Sequence, residues 1–140
     1  MQVFLDSNIV LYALGNDLSK RVVADSLLAQ KPVISTQVIN ECSHVLRRKR
    51  QYTPEDVSRE LSAVIKAVTL VDVGIYEIRS AWVIASRYRF SHYDSLIIAA
   101  ALTSGCSILF SEDLQHEQII DSQLTIRNPF LDADNKAVKN

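Results

Sequence analysis

The stretch that decides the fold is VFLDSNIVLYALG, residues 3–15. Its apolar opening, residues 3–5, ends at Asp6, and a helical pattern follows over residues 8–14 before a glycine. This order predicts a short buried strand, a turn and a helix. The acid between them lies either at the binding edge of a parallel sheet or at the N-cap of the helix.

The rest of the chain repeats this alternation. Apolar runs between breakers predict four further strands, at residues 33–34, 68–73, 107–110 and 124–126. Apolar stripes at helical spacing predict five further helices. One ends before Lys31, and the next runs from an N-cap at Thr36 to about Arg50. The other three cover residues 54–67, 75–88 and 91–104. Short strands separated by helices predict an α/β fold with a parallel sheet between helices. We expect one domain over residues 1–130 and a polar tail over 131–140.

Composition excludes several classes of protein. The 140 residues carry 15 Lys plus Arg against 16 Asp plus Glu, so nucleic-acid binding must come from local patches rather than from the net charge of −1. No apolar stretch approaches the roughly 20 residues of a membrane span, and the N-terminus lacks a secretory pattern. We therefore expect a cytoplasmic protein with no membrane contact. Cys42 and Cys106 lack metal-site spacing and are expected to be reduced packing residues.

Four carboxylates stand in otherwise apolar surroundings. Asp6 and Asp113 follow predicted strands, whereas Glu41 and Asp94 share the apolar faces of predicted helices. Each alone has an ordinary explanation, as a helix cap or as an acid at the edge of a stripe. Clustered carboxylates raise one another's pKa unless a cation shares them, and an all-oxygen set without His or Cys favours Mg²⁺ or Mn²⁺. Such an ion supports phosphodiester hydrolysis.

Two weaker patterns indicate RNA contacts. A basic run closes the helix that carries Glu41: Arg47, Arg48, Lys49 and Arg50. It either complements the helix dipole or follows a phosphate backbone. The segment RYRFSHY, residues 87–93, interleaves cations with aromatic rings, either as a stacking platform for single-stranded RNA or as loop packing. Of the histidines, only His92 is expected to contact RNA.

In order and context, four segments resemble the motifs of PIN-domain ribonucleases, and more closely those of VapC-like toxins of toxin-antitoxin pairs: FLDSN at 4–8, NE at 40–41, HYDSLIIAAA at 92–101 and LFSED at 109–113. The resemblance spans residues 1–130. It implies a PIN-like three-layer sandwich with about five parallel strands. It also implies an endoribonuclease that leaves 5′-phosphate and 3′-hydroxyl ends, forms a homodimer and is silenced by an antitoxin whose tail covers the site.

The resemblance also implies roles for individual residues. The four acids Asp6, Glu41, Asp94 and Asp113 would bind Mg²⁺ or Mn²⁺ and carry catalysis, with Asn8 and Ser111 in support. Ser111 stands where threonine is frequent, which preserves the hydroxyl. Glu112 lies beside Asp113, so either could face the metal, and we favour Asp113. The apolar residues Trp82, Ile84 and Tyr88 fit either a dimer face or the core.

Other functions fit parts of the pattern. A noncatalytic RNA-binding or interaction module would keep the fold without the reaction, and a housekeeping RNA-processing nuclease would keep both. A phosphotransfer domain also places an acid at a strand end. However, Asn8 stands where an aspartyl phosphatase has its second aspartate, and the paired acids and late lysine of a receiver domain are missing.

Overall fold

The computed structural model describes residues 2–131 of the chain. Its strands are β1 Val3–Leu5, β2 Val33–Ser35, β3 Thr69–Val71, β4 Ile108–Phe110, β5 Ile119–Ile120 and β6 Leu124–Arg127. Its helices are α1 Ser7–Ala13, α2 Leu18–Leu28, α3 Thr36–Arg48, α4 Pro54–Ala67, α5 Ile75–Tyr88 and α6 His92–Thr103.

The strands form one sheet in the order β3-β2-β1-β4-β6-β5. All neighbours pair in parallel except β5, which runs antiparallel to β6. Leu5 at the end of β1 pairs with Phe110 at the end of β4, and the Asp6 amide donates to the Phe110 carbonyl at 3.0 Å. The segments that follow β1 and β4 therefore leave the sheet side by side. In parallel sheets such a crevice outside the carboxyl ends of the strands is where ligands bind.

Local chemistry explains where the helices begin. Thr53 caps α4 by accepting from the amide of Asp56, with proline in the first turn. The Ser91 hydroxyl accepts from the amide of Asp94 at the start of α6. Residues 95–101 of α6 are all buried, because this helix is apolar on every side and lies in the core.

The α/β sandwich predicted from the sequence is confirmed, with one strand more than expected. All five predicted strands are present, and the helices at 54–67 and 75–88 have the predicted bounds. The additional strand is the antiparallel edge strand β5, which the sequence did not indicate because it is only two residues long and shows no periodicity of its own. The N-cap of α3 is Ser35, which accepts from the amide of Val38, rather than Thr36. Thr36 instead accepts from the Val73 amide at 3.1 Å.

Two of the three residues considered for a dimer face are packed within the protein. Ile84 is 3% exposed, and the Tyr88 hydroxyl donates to Asp121 at 2.8 Å. Only Trp82, 57% exposed, faces solvent. The expected tail lies, from residue 132 onward, outside the described residues. Over residues 2–131, no helix combines the length and the hydrophobicity that a bilayer crossing requires.

Candidate metal site at the carboxyl edge of the sheet

Asp6 lies at the centre of the site and is held on both sides of its carboxylate. Its Oδ1 accepts from the Ser7 amide at 2.7 Å, and its Oδ2 accepts from the Ser111 hydroxyl at 2.8 Å. Asp6 therefore caps α1 and also stands at a strand end, so the two interpretations of this residue are both correct. Ser111 is fully buried, and its hydrogen bond ties the end of β4 to the end of β1.

The pKa of Asp6 shows which other acids share its surroundings. Burial disfavours the charged form of this side chain, which is 5% exposed, and raises its pKa to about 6. The hydrogen bonds from Ser111 and Ser7 oppose this shift. The negative charges of Glu41 and Asp94 add to it, so both carboxylates lie close enough to act on Asp6.

Asn8 connects the start of α1 to the turn after β4. Its Nδ2 donates to Asp113 Oδ2 at 3.0 Å, and its Oδ1 accepts from the Glu112 amide at 3.4 Å. The Ser111 hydroxyl also accepts from the Leu114 amide at 3.4 Å. These bonds fix the turn and place the exposed Asp113 carboxylate beside Asn8, near the N-terminus of α1.

Glu112 turns toward the helices rather than toward the other acids. Lys20 of α2 and the Tyr12 hydroxyl of α1 both donate to its carboxylate. Burial opposes the ionisation of Glu112, but these two donors outweigh it and lower its pKa. Glu112 therefore has its own partners, whereas its neighbour Asp113 is exposed near α1.

The remaining acids are less constrained. Glu41 is half-buried on α3 and accepts from Gln37 Nε2 at 3.3 Å. Asp94 is half-buried in the first turn of α6, where the positive end of the helix dipole favours a carboxylate. Cys42 is buried behind them, and its thiol donates to the Ser7 carbonyl at 3.6 Å. Burial raises the pKa of this thiol to about 12, so Cys42 packs α3 against α1 as a thiol.

The donor chemistry fits a hard divalent cation, although the side chains do not converge as they stand. Across residues 2–131, no three His, Cys, Asp or Glu side chains are grouped closely enough to hold a metal ion. The negative charges of Glu41 and Asp94 nevertheless act on Asp6, and carboxylate oxygens are the donors that a hard cation prefers. Three of these carboxylates would have to come closer together to hold one cation.

Two clefts open on either side of the N-terminus of α1. The larger, about 580 Å³, is lined by Ser7, Gln37, Asn40, Glu41, His44, Val45 and Tyr93. The smaller, about 280 Å³, is lined by Asn8, Leu11, Tyr12, Arg50, Glu112 and Asp113. Glu41 thus lines the larger cleft, and Glu112 and Asp113 line the smaller one.

The basic run divides into structural and exposed residues. Arg50 donates to the carbonyls of Leu11 and Leu14 at 3.0 and 3.1 Å, and so satisfies the C-terminal end of α1. Arg47 donates to the Tyr52 carbonyl at 2.9 Å. Arg48 and Lys49, which lie between these two arginines, are exposed.

The aromatic segment before Asp94 is packed at Tyr88 and Phe90 and exposed elsewhere. The rings of Tyr88 and Phe90 stack with their centroids 5.9 Å apart, and Arg87 pairs with Asp121. Loop packing therefore explains this part of the segment. His92 and Tyr93 differ, because both are exposed, with their ring centroids 5.5 Å apart.

Two contributors to the site were missed from the sequence. Lys20 lies 92 residues from Glu112, so no local pattern indicates the pair. Gln37 lies one helical turn before Glu41, and that spacing could have identified it.

Comparisons with known proteins agree with this fold. A model of the PIN domain matches residues 3–120. The chain is similar in structure to VapC20 of Mycobacterium tuberculosis, a sarcin-ricin loop cleaving toxin, with 18% identity and a TM-score of 0.65 over 80% of this chain and 90% of that one. It is also similar to a toxin-antitoxin complex from Klebsiella pneumoniae, with 14% identity and a TM-score of 0.69 over 92% and 98% of the two chains.

A third similar structure is VapBC2 of Rickettsia felis, bound to a DNA fragment from its promoter. It shares 19% identity and a TM-score of 0.69 over 91% of this chain and 98% of that one. Identities this low indicate a common fold. A comparison with curated protein sequences found no match.

Proposed function

The chain belongs to the PIN domain family, and from this premise we propose that it is a metal-dependent endoribonuclease, the toxin of a VapBC-type pair. The observation that carries the proposal is the geometry at the carboxyl ends of β1 and β4, where the buried Asp6 accepts from Ser111 and Asp113 accepts from Asn8. A buried carboxylate among other carboxylates destabilises a protein unless a cation shares them.

In this proposal Asp6, Glu41, Asp94 and Asp113 hold Mg²⁺ or Mn²⁺. When bound, the ion acts as a Lewis acid on the phosphate and lowers the pKa of water. Ser111 and Asn8 orient Asp6 and Asp113 through the hydrogen bonds described above. Arg48 and Lys49, with His92, hold the RNA on either side of the acids, and cleavage leaves 5′-phosphate and 3′-hydroxyl ends.

The partners in this proposal follow from the similar structures. The structures from K. pneumoniae and R. felis are toxin-antitoxin assemblies. We accordingly propose an antitoxin protein as the partner of this chain, a homodimer as its assembly and the cytoplasm as its location. The exposed Tyr76, Trp82 and Val83 on α5 support an apolar contact between copies.

The test is cleavage of a mixed RNA pool by the purified protein with Mg²⁺ or Mn²⁺, beside an EDTA control and Asp94→Asn. Cutting that needs the metal and is lost in the variant supports the nuclease. The variant is suitable because Asp94 is half-buried in the first turn of α6, where Asn has nearly the same size and removes the charge with little effect on the fold. RNA binding that is independent of metal, with no cleavage by the folded protein, would instead indicate the noncatalytic module.

A further inference from the structure

The larger cleft is the feature that the proposed chemistry leaves unused. It opens beside Glu41, between α3 and the N-terminus of α6, with a volume of about 580 Å³. Pockets of this size take small organic groups. One wall presents the side chains of Gln37 and Asn40, and the other presents Tyr93, which is 61% exposed. An exposed tyrosine ring and side-chain amides therefore face one recess next to the acids.

The charges of this cleft favour an uncharged occupant. Among residues 2–131, no lysine or arginine lines it, and its lining includes Glu41. A phosphate in this position would meet a carboxylate, whereas a nucleobase brings an uncharged planar ring. Unpaired bases are recognised by stacking on aromatic side chains and by hydrogen bonds to their edges, which amide groups supply.

One face of α3 connects the cleft to a positively charged region at the end of the helix. Asn40, His44 and Arg48 follow one another at intervals of four residues, so they lie along one face of the helix. The face thus runs from the acids, past the cleft, to the exposed cations at residues 48 and 49. A single strand with its scissile phosphate at the acids can place a base in the cleft and a further phosphate near Arg48.

We propose that this cleft, the base cleft, holds one unpaired nucleobase of single-stranded RNA, stacked on Tyr93 and recognised by the amides of Asn40 and Gln37. Gln37 is already oriented, because its Nε2 donates to Glu41. The inference rests on the proposed function and deepens it. The substrate is then unpaired RNA, and these residues determine which base is preferred next to the cleavage site.

The first experiment measures the binding of a fluorescent, unpaired ten-nucleotide RNA by anisotropy, in EDTA so that metal-dependent cleavage cannot consume it. Tyr93→Ala is expected to weaken binding about tenfold, the effect of losing one stacked base, whereas Tyr93→Phe retains the affinity. The matched control is Ile119→Ala, because Ile119 is 59% exposed on β5 and lies outside the cleft. The same sequence annealed to its complement should bind all three variants equally. Equal affinities of Tyr93→Ala and Ile119→Ala for the unpaired RNA would overturn the inference.

The second experiment maps cleavage sites in the RNA pool with Mg²⁺. Asn40→Ala is expected to broaden the choice of base beside the cut while cutting continues. Cleavage with an unchanged base preference in Asn40→Ala and Tyr93→Ala would reject the base cleft and leave the nuclease standing. Binding that depends on Tyr93, with no cleavage in any metal, would leave the base cleft standing and reject the nuclease. The two failures are therefore distinguishable.

Discussion

The acid edge has two halves that are held in different ways. In the half formed by the ends of β1 and β4, hydrogen bonds join Asp6 to Ser111 and Asp113 to Asn8 across 105 residues of sequence. In the half formed by α3 and α6, Glu41 and Asp94 sit on separate helices, and their effect on Asp6 is through charge. We call these the tied half and the open half.

The difference separates carboxylates that the fold already holds in place from carboxylates that a bound ligand would have to bring into position. The tied half fixes Asp6 in a buried place even though its charge is unfavourable there. The open half holds its carboxylates less firmly, beside the base cleft, because within residues 2–131 the bond between them and the rest of the protein is the one that Glu41 accepts from Gln37. Preorganised donors raise catalytic efficiency, while mobile ones allow a cation and a substrate to enter. Substitutions in the two halves should therefore affect stability and activity in different proportions.

The largest expected effect separates two neighbouring acids at the end of β4. Asp113→Asn should reduce RNA cleavage about a thousandfold, because it removes a charge proposed to hold the metal. Glu112→Gln should leave cleavage within about threefold and lower the free energy of unfolding by about 1 kcal/mol, because it weakens the contact with Lys20. Cleavage rates and urea unfolding measure both. If Glu112→Gln removed cleavage and Asp113→Asn did not, the assignment of the two acids would be reversed.

The next effect is the loss of folding stability that the ionisation of the buried Asp6 causes. Its pKa rises from 3.8 in the unfolded chain to about 6 in the folded one, so the folded state binds the proton more tightly. The free energy of unfolding should therefore fall as pH rises through this interval, by about 3 kcal/mol in total. Asp6→Asn keeps an N-cap oxygen and lacks this ionisation, so in EDTA it should be more stable than the wild type at pH 7.5 and similar near pH 4.

The measurement is urea unfolding of both proteins between pH 4 and 7.5. Other groups titrate in the same range, but they are common to the two proteins, so the difference between the curves isolates Asp6. If the free energies of unfolding of the two proteins changed with pH in parallel, the ionisation of Asp6 would not destabilise the folded protein. Added Mg²⁺ should stabilise the wild type and not the variant, in proportion to the affinity for the ion.

A smaller effect tests the bond that joins β1 to β4. Ser111→Ala removes the hydroxyl that donates to Asp6 Oδ2 and should lower the free energy of unfolding by about 1 to 3 kcal/mol at pH 7.5. The matched control is Ser107→Ala, because the Ser107 hydroxyl is buried and has no hydrogen-bond partner within residues 2–131. Its removal should be neutral or stabilising. Equal losses from the two variants would show that the hydrogen bond contributes nothing.

The sequence predicted the elements whose patterns are local. The bounds of α5 agree at both ends, because Gly74 breaks the preceding strand and the apolar positions recur at helical spacing. The edge strand β5 was missed because two residues carry no period. Its place in the sheet depends on pairing with β6, which is a tertiary property.

The sequence indicated which acids belong to the candidate site, but not how their side chains are oriented. Asp6 and Asp113 were located by the strands they follow, which is a local property. The orientation of Glu112 depends on Lys20, far away in the sequence, and the sequence left open which of the two neighbouring acids would be available to a metal. The basic run was likewise treated as a unit, although its members have different partners in the structure.

The smallest expected effect distinguishes two residues of the basic run, Arg50 and Arg48. Arg50 donates to two carbonyls at the end of α1, next to the tied half, so Arg50→Ala should lower the free energy of unfolding by about 1 kcal/mol. Arg48→Ala should change stability by less than about 0.5 kcal/mol and weaken RNA binding two- to threefold at low salt, with a shallower salt dependence. Urea unfolding and anisotropy titrations at two salt concentrations measure both. If Arg48→Ala left the salt dependence unchanged, RNA would not pass the end of α3, and the path from the open half toward positive charge would have to lie elsewhere.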